Sequence, residues 1–212
     1  MIRENYLKNK LLKNEEVLGT WLTIPSAIVA DIIATTGLDF IIIDTEHGPI
    51  SYETAQLITI ACESRKVSPV IRVPGASEHE MLKAIDIGAH CIHVPNVRKL
   101  TQIRDIINYS KYPPIGNKGF SPFTRAFDYT EKNSSKMDEV NFNTLLAIHI
   151  EEITSIDKLE EMLQEKIDIV FLGLFDISKS IGLPGQINHE KVQYNFKKAV
   201  DSIPQFFTVD AA

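Results

Sequence analysis

The chain has 212 residues, 44% of them apolar and 24% charged, a balance that suits a compact globular protein and excludes a disordered or fibrous one. Twenty-two Lys and Arg face 28 Asp and Glu, so the net charge of −6 gives no electrostatic reason to bind nucleic acid or an anionic membrane. The most apolar stretches, Ile28 to Ile33 and Phe40 to Ile43, are soon broken by Asp31, Asp39 and Asp44, far short of the roughly 18 residues of a spanning helix. Met1 to Glu16 lacks the apolar block of a secretory signal, and two cysteines, Cys62 and Cys91, make no disulfide framework, so a cytoplasmic setting is expected.

From Val17 onward, short β-branched runs alternate with helical patterns. Strands are predicted at Val17 to Ile24, Asp39 to Asp44, Ser68 to Val73, His90 to Val94, Leu145 to Ile150 and Asp168 to Leu172, with Gln205 to Val209 a weak seventh. Their near-continuous apolar character is that of strands covered on both faces. The helical patterns run Ser26 to Thr36, Ser51 to Lys66, Ser77 to Ile87, Leu100 to Ser110, Ser155 to Lys166 and His189 to Ile203. Ser77 with Glu80 reads as a capping box, and Gly37 and Gly88 stand where helices need a left-handed stop. The rhythm predicts βα units around a parallel sheet, an α/β fold. Tyr112 to Asn143 interrupts it and is too long for an ordinary connection; its aromatic residues point to an ordered loop, of the size that serves as a lid or a subunit contact.

Polar residues cluster just after the strands: Asp44-Thr-Glu-His47, Arg72, Pro95-Asn96, Glu151-Glu152 and Asp176. His47 to Arg72 is 25 positions, Arg72 to Pro95 is 23 and Glu151 to Asp176 is 25, so one βα period carries each group to the same end of the next strand. In a closed βα barrel that end is the catalytic face. Singly, each has a structural alternative: Asp44 caps its turn, His47 bonds a loop, Arg72 pairs with a carboxylate, and the acidic residues favour helix starts. Together, one Arg, one His and several carboxylates suit a 2-oxo acid held by an arginine fork and a hard divalent ion, Mg²⁺ or Mn²⁺, with a histidine moving the proton.

These residues resemble the HpcH/HpaI family of class II pyruvate aldolases. The resemblance covers about Val17 to Val192 and rests on eight segments in family order, among them Gly19-Thr-Trp-Leu, Asp39-Phe-Ile-Ile-Ile-Asp-Thr-Glu-His47, Pro69-Val-Ile-Arg-Val-Pro74, Ala84-Ile-Asp-Ile-Gly88, Ile148-His-Ile-Glu151 and Phe171-Leu-Gly-Leu-Phe-Asp-Ile-Ser178. It implies a TIM (β/α)8 barrel of the phosphoenolpyruvate/pyruvate type, here a single domain over residues 1–212 that stops after strand 6 or 7. It implies Glu151 and Asp176 as ligands of Mg²⁺, Mn²⁺ or Co²⁺, Arg72 as clamp for the pyruvate carboxylate, and His47 as base. Asp44 and Asp86 would belong to the network around the His47 proton, and backbone amides of Gly173, Leu174 and Phe175 would help bind substrate. The partners implied are a small 2-oxo acid and an aldehyde, in a homo-oligomer without nucleic acid or membrane. Departures from the family pattern are Leu174 in place of Pro, His149 in place of Gln and Lys118 in place of Arg. The expected reaction is cleavage of a 4-hydroxy-2-oxo acid to pyruvate and an aldehyde. Decarboxylation of a related acid is the alternative, and a catalytically inactive shortened homologue, marginal in stability because its barrel stays open, is another.

Overall fold

The computed structural model describes residues 3–203, and the seventh strand expected at Gln205 to Val209 lies outside them. The chain divides into two compact units: residues up to His93 together with Ile106–Leu145, and Val94–Asp105 together with residues from Leu146 onward.

The first unit runs α1 (Tyr6–Leu11), β1 (Gly19–Leu22), α2 (Ala27–Ile33), β2 (Phe40–Asp44), α3 (Tyr52–Ser64), β3 (Ser68–Arg72), α4 (Glu78–Asp86) and β4 (Cys91–Val94). It then takes in the latter part of α5 (Leu100–Ser110), followed by α6 (Met137–Asn143). Each strand pairs in parallel with its predecessor, and the register sets Trp21 beside Ile42, Asp44 beside Arg72, and Arg72 beside His93. Ser26, Ser51 and Ser77 each accept from the amide three residues on, at 3.2–3.3 Å, so each of these helices starts on a serine cap worth about 1 kcal/mol. Gly37 and Gly88 take φ of +90° and +97°, the left-handed stops expected. Every residue of β2 and β3 is buried, which is why these strands read as unbroken apolar runs.

The second unit carries β5 (Leu145–Ile150), α7 (Ile153–Ile156), α8 (Leu159–Met162), β6 (Ile169–Leu172), α9 (Leu174–Ser180) and α10 (Glu190–Ser202). Here β5 and β6 pair in parallel, with His149 beside Phe171. The single helix expected over Ser155 to Lys166 is two short ones. Ile156, Leu159 and Met162 are buried, and at the junction of the two helices the Lys158 amide bonds the Ser155 carbonyl three residues back, a tighter turn than the α-helices on either side.

Tyr112 to Asn143 is ordered, as its composition predicts. Tyr112 and Phe127 are fully buried, edge to face with each other and with Phe120 at 5.2–6.1 Å between ring centroids. Asn141 closes the loop by bonding both the amide and the carbonyl of Tyr112. Because the loop leads from the end of α5 to the start of β5, it belongs to the ends where strands begin and does not form a lid over the ends where they finish.

Candidate active site

In the first unit, the finishing ends of β2 and β3 bring Asp44 and Arg72 together through their register. Arg72 Nε donates to Asp44 Oδ1 at 2.9 Å and Nη2 to Oδ2 at 2.5 Å, a two-pronged pair with the carboxylate almost entirely buried. The guanidinium also lies 4.3 Å from the Trp21 ring centre, and Trp21 in turn faces His93 at 5.6 Å. Glu46 Oε2 stands 3.2 Å from Nη1. Arginine has five N–H donors and Asp44 occupies two, so the terminal edge of the fork remains to meet an incoming carboxylate in competition with Glu46.

Asp44 has a second role, the turn cap that its position suggests: Oδ1 accepts from the amides of Glu46 and His47 at 3.0 and 3.1 Å. Burial by itself pushes the Asp44 carboxyl up, but the Arg72 hydrogen bond and the His47 amide outweigh it and hold the group below the usual carboxylate range. The chain then needs Gly48, since a Cβ there would lie 2.4 Å from the Asp44 carbonyl oxygen. His47 is thereby fixed by its backbone while its ring stays 74% exposed, with Nε2 3.9 Å from Glu46 Oε1. A histidine held in this way can exchange protons with a bound molecule and with water.

Asp86 lies elsewhere. It is the last residue of α4, which runs back from β3 toward the start of β4, so it belongs to the beginning of the strands and is not brought to His47 within the chain. Its partner is Lys118, with Nζ 2.7 Å from Asp86 Oδ1 and 3.0 Å from the Tyr112 hydroxyl. The Lys118 side chain is wholly buried; burial lowers its pKa, and the Asp86 hydrogen bond opposes the shift without cancelling it. Burial beside this pair pushes the Tyr112 hydroxyl up from its ordinary pKa, with the Asp86 charge adding to the shift.

In the second unit, Glu151 follows β5 and Asp176 stands in the first turn of α9, directly after β6. Both line one cavity of about 200 Å³ with Glu152, Asn96, Arg98, Lys179 and Ser180. Arg98 is tied to Glu152 at 2.7 Å and to Asn96 at 2.8 Å, and Glu151 and Asp176 line the same cavity. Two such oxygen donors suit a hard divalent cation that keeps open positions for water and a chelating substrate. Among the described residues no group of three or more His, Cys, Asp or Glu stands together as a ready-made metal cage. Gly173 caps α9; Leu174 is half-buried, and Phe175 is 64% exposed. The first amides of such a helix have no partners within it, so those of Leu174 to Asp176 remain to meet an anion.

Several of these residues escape a reading by strand ends alone. Trp21 sits within β1, and only the register shows that it shares a face with Arg72. Glu46 is present in the Asp44 to His47 segment, but its pairing depends on where the guanidinium edge falls. Lys179 and Ser180 belong to α9, a helix without a serine or aspartate cap to announce it.

The chain is thus of the α/β class, with parallel strands joined by helices, an arginine–carboxylate–histidine set after β2 and β3 in one unit and an acidic cavity after β5 and β6 in the other. The family model of the HpcH/HpaI aldolase/citrate lyase family matches residues 18–206, and the chain belongs to that family. It is 33% identical over 190 residues to the 2-keto-3-deoxy-L-rhamnonate aldolase of Escherichia coli, covering 89% of this chain and 71% of that protein. Among solved structures it is similar to an HpcH/HpaI aldolase from Desulfitobacterium hafniense DCB-2, with a TM-score of 0.88 and 26% identity over 93% of this chain and 77% of that one. It is also similar to the citrate synthase SbnG, with a TM-score of 0.85 and 26% identity over 94% of this chain and 78% of that one.

Proposed function

We propose that the chain is a divalent-metal-dependent aldolase that cleaves a 4-hydroxy-2-oxo acid to pyruvate and an aldehyde. The observation that carries this reading is the cavity in which Glu151 and Asp176 offer oxygen donors at consecutive strand ends. Glu151 and Asp176 would hold Mg²⁺, Mn²⁺ or Co²⁺, which when bound acts as a Lewis acid on the 2-oxo group and stabilises the developing enolate charge.

The chain's own residues supply the rest. The edge of the Arg72 fork that Asp44 leaves, which faces Glu46, binds the substrate carboxylate in place of Glu46, and Asp44 and Trp21 keep that fork from rotating. The Gly173 amide is taken by the Ile150 carbonyl, so of the three amides expected to bind substrate those of Leu174 and Phe175 are the donors offered to an anionic group. His47 takes the proton from the 4-hydroxyl as the C3–C4 bond breaks, and a proton returned to C3 completes pyruvate. Lys179 lines the acidic cavity, yet it is exposed, whereas lysines that form Schiff bases are desolvated nucleophiles.

The test is pyruvate release from a panel of 4-hydroxy-2-oxo acids, 2-keto-3-deoxy-L-rhamnonate first because the Escherichia coli relative is named for it. Activity should vanish on chelation, return with Mn²⁺ or Mg²⁺, and leave no protein adduct when pyruvate and borohydride are added. Full activity after chelation would overturn the metal assignment, and borohydride trapping at Lys179 would replace it. The family resemblance further supports a cytoplasmic homo-oligomer. No helix among the described residues is long and apolar enough to cross a membrane.

A further inference from the structure

His149 occupies β5 two residues before Glu151, so the two side chains leave the strand on the same face. The imidazole is buried at 4% exposure, and Nδ1 lies 3.1 Å from Glu151 Oε1. Its far side is confined from two directions. Phe171, the register partner on β6, packs edge to face at 4.9 Å. A Cβ at Gly173 would stand only 2.5 Å from Nε2, so the ring fills the space that a side chain at 173 would need. Gly173 is the residue from which α9 starts, three positions before Asp176, and its amide donates to the Ile150 carbonyl at 3.0 Å. One ring therefore touches the carboxylate after β5 and abuts the backbone that presents the carboxylate after β6.

We infer that His149 is a positioning residue for the cation pair: its imidazole orients the Glu151 carboxylate and, by seating against Gly173, sets how far α9 holds Asp176 from it. This inference rests on the reading of Glu151 and Asp176 as cation ligands. The physical reason is that a carboxylate used as a ligand loses affinity when free to rotate, and partners behind ligands are commonly worth 10–100-fold in metal binding. Steric filling matters as much as the contact. The ring occupies the space beside Gly173 that a side chain at that position would need.

Mn²⁺ binding to the metal-free protein, followed by the loss of free-ion electron paramagnetic resonance signal, reads this without turnover. Wild-type protein should bind Mn²⁺, and Glu151→Gln should abolish or strongly weaken it. His149→Phe keeps a ring but no donor and should weaken Mn²⁺ binding by ~10–100-fold, whereas His149→Gln, whose amide reaches the same carboxylate, should stay within about 3-fold of wild type. Gly173→Ala should weaken binding in the same direction by displacing the ring, and the loss should shrink in the His149→Ala background, where no ring remains to be displaced. Thermal unfolding of each variant confirms a native fold, and if His149→Phe does not fold, His149→Gln and the Gly173 cycle decide. Binding lost in Glu151→Gln but unchanged in His149→Phe, or additive losses in the Gly173 cycle, overturns the role of His149 alone. No Mn²⁺ binding by wild type, or binding indifferent to Glu151→Gln, overturns the underlying metal reading.

Discussion

The two ends of the β2–β4 strands both carry buried charge, yet they are built differently. At the beginning of the strands every buried charge closes on a partner in the same unit. Glu63 meets Arg3, Arg125 and His90, and His90 reaches Ser68, whose hydroxyl accepts from the Leu7 amide. Lys118 meets Asp86 and the Tyr112 hydroxyl, and Asn5 at the cap of α1 donates to the His90 and Asn143 carbonyls. At the finishing end, Asp44 satisfies only part of Arg72, and His47 points its ring to solvent. Saturated pairs stabilise position, whereas a fork whose outer edge meets only the partly exposed Glu46, and an exposed imidazole, can act on something that arrives. Burial of charge therefore does not distinguish the two ends; the donors left over do.

The sharpest way to break this comparison is to remove the proton carrier. His47→Ala should lower the pyruvate-forming rate by ~10²–10⁴-fold while the melting temperature and Mn²⁺ affinity hold, because the ring makes no buried contact. Near-wild-type turnover would move the base elsewhere. Arg72→Lys keeps the charge but loses the fork, and a loss of ~10²–10³-fold is expected, with a rise in KM. A variant that turned over like wild type would show that the fork serves only to hold Asp44.

At the other end the expected signature is stability. Asp86→Asn should lower the unfolding free energy by about 1–3 kcal/mol, since Lys118 is left in a buried site with a weaker partner. A loss of turnover in protein that still melts normally would instead return Asp86 to the chemistry, by a contact the single chain does not make. The smallest expected effect is on acid stability. The Asp44 carboxyl lies below its unfolded value of about 3.9, so its contribution to stability is present above that pH and is lost as the pH falls through the lowered folded value. Denaturant unfolding from pH 5 to 2.5 should show this decline, and Asp44→Asn should flatten it.

How much of this is legible in the chain follows from which interactions are local. The six strands, the serine caps and the left-handed glycines are read directly, because β-branched runs and capping chemistry act over a few residues. The same holds for Asp44, His47, Arg72, Glu151 and Asp176, since a strand end is a position along the chain and one βα period separates successive ends. Asp86 is legible only as part of a segment: it ends α4, away from the strand ends that carry His47, and within the chain it pairs with Lys118.

Three things were left to the tertiary structure. The strand register decides that Asp44 and Trp21 hold Arg72, since cross-strand neighbours have no fixed separation in sequence. The stretch from 153 to 163 is divided into α7 and α8, with the break at the tighter turn where the Lys158 amide bonds the Ser155 carbonyl. The fit of His149 against Gly173 depends on two strands lying side by side, so that a missing Cβ on one makes room for a ring on the other. The sequence by itself determined the order of the elements and the chemistry available at each strand end. Only the tertiary structure decided which of those groups are saturated by neighbours and which keep a hydrogen-bonding edge for a substrate, because that depends on distances of a few ångströms between residues 20 to 50 positions apart.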